Sequence, residues 1–335
     1  PLRLVGSEMC IRDRVVLLCP VAVSGGPEAI HQLSDAIAGL GGEVVIAYYG
    51  AQMGISIEDA MISCSFTSSP TPPAYRDYRS FTAARIPLTS RSLVIFPEPV
   101  IGWAMAQRPF SQAIWWLSVD NALVKSPILS YESHRQQFFL TPHLLHFYQS
   151  DYARDFLIRG GAKKVYPLGD YIADRFYNSL NSVPRDQSIT YFPRKGGALA
   201  SVFFDSHPDL HRMPIENMSA DTVHETLRKS QIYIDFGHHP GKDRVPREAA
   251  LSGNIVFLHE RGAAAFHLDH PLDRSFLFTA ADVSNGSLYG RVKQALDHAD
   301  NSFAAQHRYH SRISVEKGEF LYHVKFNFFA PHIAR

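Results

Sequence analysis

The sequence is short of cysteine, of net charge and of long apolar runs. Three cysteines in 335 residues, Cys10, Cys19 and Cys64, are too few and too irregularly placed for a disulfide framework or a zinc site, which points to a reducing compartment. Lys plus Arg number 33 and Asp plus Glu 32, leaving a formal net charge of +1. No global field therefore draws nucleic acid or an anionic membrane, and any anion site must be built locally. No stretch approaches the ~20 apolar residues of a membrane span. No Gly-x-Gly-x-x-Gly opens either half of the chain, which argues against a dinucleotide-dependent dehydrogenase. The 17 histidines are scattered, and the pair His238-His239 lacks partners at metal-ligand spacing. No metal site is expected.

What is present is a globular composition, 45% hydrophobic and 19% charged, and a length that favours two domains. Residues 1–14 stand apart. Ser7-Glu8-Met9-Cys10-Ile11-Arg12-Asp13-Arg14 resembles a translated sequencing-adapter tail and is expected to lie outside the native fold. Arg3, Glu8, Arg12 and Asp13 interrupt any apolar core of a signal peptide.

From Val15 the pattern is strand, loop, helix, strand. Val15–Cys19 is a continuous apolar run, as expected of a parallel strand covered on both faces. Ser24-Gly25-Gly26-Pro27-Glu28 opens a helix with Ile30, Leu33, Ile37 and Leu40 on one face, and Gly41-Gly42 stops it. Strands follow at Val44–Tyr49, Ser92–Glu98, Gln112–Ser118, Phe147–Ser150 and Lys164–Leu168, with a Ser/Thr/Pro-rich loop at 65–73. A polar break at 178–186 reads as a linker, after which the pattern restarts. Strands are expected at Ser188–Phe192, Gln231–Phe236 and Asn254–Leu258, and helices at Asp221–Lys229, Val245–Leu251 and Leu288–Ala299. The expectation is an α/β protein of two doubly wound domains, residues 15–180 and 187–310, with 311–335 packing back on the first.

In such sheets ligands bind beyond the carboxyl ends of strands, where helix N-termini present free N–H groups. Four segments fall there: Ser24–Glu28, Pro97-Glu98, Arg194-Lys195-Gly196 and His238–Glu248. The last lies within Asp235-Phe236-Gly237-His238-His239-Pro240-Gly241-Lys242-Asp243-Arg244-Val245-Pro246-Arg247-Glu248-Ala249-Ala250-Leu251-Ser252-Gly253. This segment resembles the donor-binding signature of GT-B glycosyltransferases, a strand, a Gly-containing loop and a short helix reading Glu-Ala-x-x-x-Gly. The resemblance implies a GT-B fold, two Rossmann-like domains facing a central cleft. Glu248 would then hold the ribose hydroxyls of a nucleotide. Pro240 stands where the retaining branch has its first glutamate, while Gly241 matches the glycine that follows it. Arg194-Lys195 resembles the basic pair placed against the donor diphosphate, and Ser24–Glu28 the glycine loop of the first domain.

The function so implied is transfer of a sugar from a nucleotide-diphospho-sugar to a hydroxyl acceptor, a saccharide or lipid-linked saccharide. The setting implied is surface-polysaccharide or lipopolysaccharide assembly at the inner face of the cytoplasmic membrane, with peripheral membrane association and no nucleic acid. No Asp-x-Asp motif occurs, so no metal and no cofactor are expected. Cationic side chains and helix N-termini would then carry the leaving-group charge. The candidate donor residues are Arg194, Lys195, Gly237, His238, Gly241, Lys242, Arg244 and Glu248; Gly25, Gly26 and Glu28 form the acceptor or phosphate loop. Asp120, just past a strand, and His143 are candidate bases.

Each feature also has a plain structural reading. Gly25-Gly26 can be only a tight turn before a capped helix, and Glu248 can pair with Arg244 or Arg247 at helical spacing. Lys242 and Arg244 are either a phosphate clamp or surface charge. Trp115-Trp116 reads as core. Two other functions fit the same signature: an inactive GT-B binding or assembly protein, favoured by Pro240, and another GT-B enzyme such as a nucleotide-sugar epimerase or polyol-phosphate transferase.

Overall fold

The computed structural model describes residues 14–49, 71–82, 86–179 and 184–329. Cys10, Cys64 and most of the expected 65–73 loop lie outside them, as do residues 1–13 of the expected tail. Arg14 belongs to the fold: it opens the first strand, and its guanidinium donates to Glu43 and to the Pro87 carbonyl.

Two compact units are present. Among the described residues, the first comprises 14–170 together with 318–329, the second 171–317. The chain crosses at Asp170/Tyr171, ahead of the expected linker. The physical reason is that Ile172 and Phe176 are already buried in the core of the second unit, so a polar break at 178–186 does not mark the boundary.

The first unit is built on a parallel sheet of β1 (Arg14–Pro20), β2 (Val44–Tyr49), β3 (Ser92–Pro97), β4 (Ser111–Trp116), β5 (Leu144–Tyr148) and β6 (Val165–Pro167), in the order β2-β1-β3-β4-β5-β6. The four strands β1 to β4 are the apolar runs of the sequence, and their side chains are buried on both faces, as a sheet covered by helices on each side requires. Trp115 and Trp116 are core residues: their indole N–H groups donate to the Leu168 carbonyl and to His146 Nδ1. The last helix, Glu316–Phe329, brings Phe328 against Phe147 and the Asn327 amide onto the Pro167 carbonyl.

The second unit holds β7 (Asp186–Tyr191), β8 (His211–Pro214), β9 (Ser230–Asp235), β10 (Ile255–His259) and β11 (Leu277–Phe278), again all parallel, in the order β11-β10-β9-β7-β8. Counted from its own first strand, each sheet therefore runs 2-1-3-4-5, the first adding a sixth. That order reverses direction between the first and third strands, and the crevice outside their carboxyl ends is where open α/β sheets bind ligands. The two switch points are at β1/β3 and β7/β9.

Candidate functional site

At the second switch point the chain is forced into close approach. The turn after β7 ends at Gly196, whose φ of +75° favours glycine, and a Cβ there would sit 2.2 Å from the Phe236 carbonyl oxygen. A Cβ on Gly237, just past β9, would meet Lys195 Cγ at 2.2 Å. Two glycines thus let the loop after β7 lie directly on the loop after β9. The helix Gly197–Asp205 starts from Gly196 and the helix Arg244–Leu251 from Asp243, and neither has a side-chain cap. The positive ends of two helices follow these two strands.

Lys195 lies between two carboxylates. Its Nζ is 2.9 Å from Asp235 Oδ2 and 2.5 Å from Asp243 Oδ2. Asp235 also accepts from the Tyr233 hydroxyl and the Gly237 N–H. The fully buried His239 ring spans the same two acids, Nδ1 at 3.0 Å from Asp243 Oδ2 and Nε2 at 3.9 Å from Asp235 Oδ1. Burial alone would raise both carboxyls, but the Lys195 ammonium, with His239, pulls them below the usual carboxylate range. Burial likewise works against the charge on Lys195, and the two aspartates overcome it and raise its pKa. Asp243 caps no N–H because its carboxylate is spent on Lys195 and His239.

One turn further on, a second buried network lies under the same helix. Arg247, with no exposure, donates from Nη1 to Glu316 Oε2 at 2.7 Å, from Nη2 to the Lys242 carbonyl and from Nε to the Asp243 carbonyl. Lys242 Nζ lies 2.9 Å from Glu316 Oε1. Lys242 is therefore not surface charge; it is a buried partner of Glu316. Arg244 donates to the Tyr171 carbonyl and stands 3.6 Å from Glu248, which keeps 13% of its side chain exposed. The helical-spacing pair anticipated for Glu248 forms with Arg244. Arg194 points elsewhere: three-quarters exposed, it donates to Asn217 Oδ1 at 2.7 Å and lies 3.9 Å from Glu216. Gly241 is buried and His238 half-buried.

Of the expected donor set, the structure joins Lys195 to Gly237 and Arg244 to Glu248, and turns Arg194 and Lys242 to other partners. Sequence reasoning missed Asp235, Asp243, Arg247 and Glu316, and it undervalued His239. The reading that this histidine has no partners at metal-ligand distance is corrected. One ligand atom each from Asp235, His239 and Asp243 lie within 4.8 Å of one another. The available signal was the four-residue spacing of 235, 239 and 243, from the end of β9 to the start of the next helix.

The first switch point is of another kind. Tyr75 clamps the glycine loop, its hydroxyl accepting from the Ser24 N–H and donating to the Ser24 carbonyl. Gly25 and Gly26 begin the helix Gly25–Gly39, and a Cβ on Gly26 would make only an ordinary contact with Leu117 at 3.9 Å. Glu28 accepts from the Tyr78 hydroxyl. Leu17, Leu18, Ile95, Pro97, Trp115 and Leu117 line a small apolar hollow. Beside it, Glu98 follows β3, buried, with the Leu117 N–H 3.5 Å from Oε2. Burial pushes its carboxyl up to about 7, against the opposing pull of its own and the Leu117 N–H groups and of Lys125. Asp120, in the first turn of the helix Val119–Lys125, accepts from the Tyr152 hydroxyl at 2.9 and 3.1 Å. His143 precedes β5 and contacts the Ala104 carbonyl. It therefore precedes its strand, whereas Asp120 lies beyond the end of β4, and the two have different hydrogen-bond partners.

Comparison with known proteins gave no matching family and no matching curated protein sequence. Solved structures do match. Sucrose-phosphate synthase from Thermosynechococcus elongatus superposes with a TM-score of 0.60 at 13% identity, covering 96% of each chain. A glycosyltransferase from Rickettsia africae gives 0.54 at 11% identity over 94% of this chain and 98% of that one. A trehalose-6-phosphate structure from E. coli with UDP-2-fluoro glucose bound gives 0.57 at 11% identity over 93% and 97%. With two parallel sheets of matching strand order and these likenesses across nearly the whole chain, the protein has the two-domain α/β GT-B glycosyltransferase fold.

Proposed function

We propose that the protein is a glycosyltransferase that takes a nucleotide-diphospho-sugar as donor and passes its sugar to a hydroxyl acceptor. The observation that carries this reading is the build of the second switch point. Two glycine-enforced loops bring together the starts of two uncapped helices, with Glu248 one turn inside the second. A nucleotide diphosphate needs N–H donors and positive helix ends for its phosphates and an acceptor for its ribose hydroxyls. In this reading Glu248 accepts from the ribose, and the first turns of the two helices, with Arg194 swinging from Asn217, hold the diphosphate. The UDP-sugar bound in the E. coli neighbour is a donor of this class. The first unit would take the acceptor, with Glu98, carrying a pKa near neutrality, as the carboxylate suited to receive the hydroxyl proton. A saccharide or lipid-linked saccharide acceptor and a place in surface-polysaccharide assembly at the membrane face belong to the same proposal. None of the described helices is long and apolar enough to cross a membrane.

The test is a thermal-shift panel of UDP-, GDP-, dTDP- and CDP-linked sugars, since a ligand bound only by the native state raises apparent stability. At least one donor should shift the melting temperature, and Glu248→Ala should remove that shift while leaving the unliganded melt in place. A flat panel would refute the proposal. A second reading, a GT-B-fold binding protein without turnover, is favoured by Pro240; donor hydrolysis by the purified chain excludes it.

A further inference from the structure

The cluster at the second switch point has the build of a cation site. Asp235 and Asp243 face one another across a single positive charge, and the His239 ring lies between them with no exposed surface and no hydrogen bond at Nε2. A buried imidazole whose two nitrogens each face one of the carboxylates offers, through either nitrogen, a two-oxygen, one-nitrogen donor set, which suits first-row divalent ions better than magnesium or calcium. The supports of these side chains are fixed in advance. Asp235 is oriented by the Tyr233 hydroxyl and the Gly237 N–H. The His239 backbone is held by Arg261 and Ala263, against a Gly262 whose φ of +62° and 2.0 Å Cβ clearance admit only glycine. Such outer contacts are what hold metal ligands in register. Asp243 is the adjustable member, part-exposed at a helix start where it caps nothing. The ammonium of Lys195 already marks where a cation rests.

The geometry points to a divalent transition-metal site formed by Asp235, His239 and Asp243, in which the metal and Lys195 Nζ exchange for the same position. With lysine in place, one ammonium faces two carboxylates and the cluster holds an excess negative charge that repels phosphate. A divalent ion in its stead neutralises both carboxylates and frees Lys195, whose stem runs over Gly237, beside the two helix N-termini. The exchange turns a phosphate-repelling cluster into one with an excess positive charge. Metal loading would thereby prepare the site for a diphosphate, in contrast to the metal-free chemistry that the sequence resemblance implies. Only this last step rests on the glycosyltransferase reading.

Two measurements on the full, chelator-stripped chain test the exchange without any sugar nucleotide, so they stand or fall separately from that reading. The first is Mn²⁺ titration followed by loss of the free-ion electron paramagnetic resonance signal. One ion per chain is expected, with affinity reduced at least ~10-fold in Asp243→Asn and in His239→Gln, and increased in Lys195→Met, which lacks the competing ammonium. The second needs no variant: acetylation of Lys195 by acetic anhydride, read by peptide mass spectrometry, should quicken several-fold when Mn²⁺ is added. Failure of the wild-type chain to bind Mn²⁺, binding unchanged in Asp243→Asn, or Lys195 reactivity indifferent to the metal would each overturn the proposal. Lys195 would then be the permanent counter-ion of the two aspartates.

Discussion

The two switch points of this chain share a topology and differ in chemistry. At β1/β3 the glycine loop is held by a tyrosine hydroxyl, the neighbouring hollow is apolar, and Glu98 is a lone buried carboxyl whose nearest hydrogen-bond donor is a backbone N–H. At β7/β9 the buried Asp235, the part-exposed Asp243, a lysine and a histidine are packed together, and a second ionic network, Arg247–Glu316–Lys242, lies beneath. The same strand order has thus been fitted with a nearly neutral edge in one unit and a charged, internally compensated edge in the other. Topology places a ligand crevice; the residues at the strand ends decide which ligand it can take.

Four substitutions test that contrast. The largest effect is expected from Glu316→Gln. It strips the buried Arg247 and Lys242 of their shared counter-charge, and removing one partner of a buried ion pair costs about 3–5 kcal/mol; urea unfolding should show the loss in the second unit. Next is Glu98→Gln, with the opposite sign. Because the folded-state pKa of Glu98 is raised from 4.5 to about 7, its contribution to stability is fully present below the unfolded value and is lost as pH rises through 7. The glutamine variant should therefore be more stable than the wild type at pH 8, by roughly 2–3 kcal/mol, and the advantage should shrink as pH approaches 4.5. The carboxylates at the other switch point run the other way. Asp235 and Asp243 are depressed, so their contribution is present above the unfolded value near 3.8 and is lost as pH falls below it.

The glycines complete the series. Gly196→Ala places a Cβ against the Phe236 carbonyl at a positive φ and should cost roughly 1–3 kcal/mol, together with any donor-induced thermal shift. Gly26→Ala, in a helix and in ordinary contact distance of Leu117, should be neutral or stabilise by under ~1 kcal/mol. If Gly26→Ala were the more damaging of the two, the first glycine loop would carry the close approach assigned here to the second.

Much of the fold was legible in the sequence because parallel strands buried on both faces are largely apolar; Val15–Cys19 and Ile255–Leu258 are such runs. The strand His211-Arg212-Met213-Pro214 was not legible. It lies at the edge of its sheet, mostly exposed, so nothing selects an apolar run there. The start of β5 was read three residues late, since His146 is a polar letter inside a buried strand, where Trp116 satisfies it. In the candidate site, Glu248 was placed on its helix with Arg244 and Arg247 both open as partners by spacing, and the structure pairs it with Arg244. Lys195 and Lys242 were read as free cations because their counter-charges, Asp235 with Asp243 and Glu316, come from later in the chain, and only the fold brings them into contact. Sequence spacing shows which charges exist; it does not show which have already been neutralised.

In the proposed function the charged switch point, rather than the apolar one, receives the donor. Hydrogen–deuterium exchange with and without UDP-glucose, or whichever sugar nucleotide the melting panel selects, tests it most directly. Slowed exchange in peptides covering residues 193–200 and 237–248, with 20–28 and 97–100 unchanged, is the predicted result. Protection confined to the loops after β1 and β3 would contradict it.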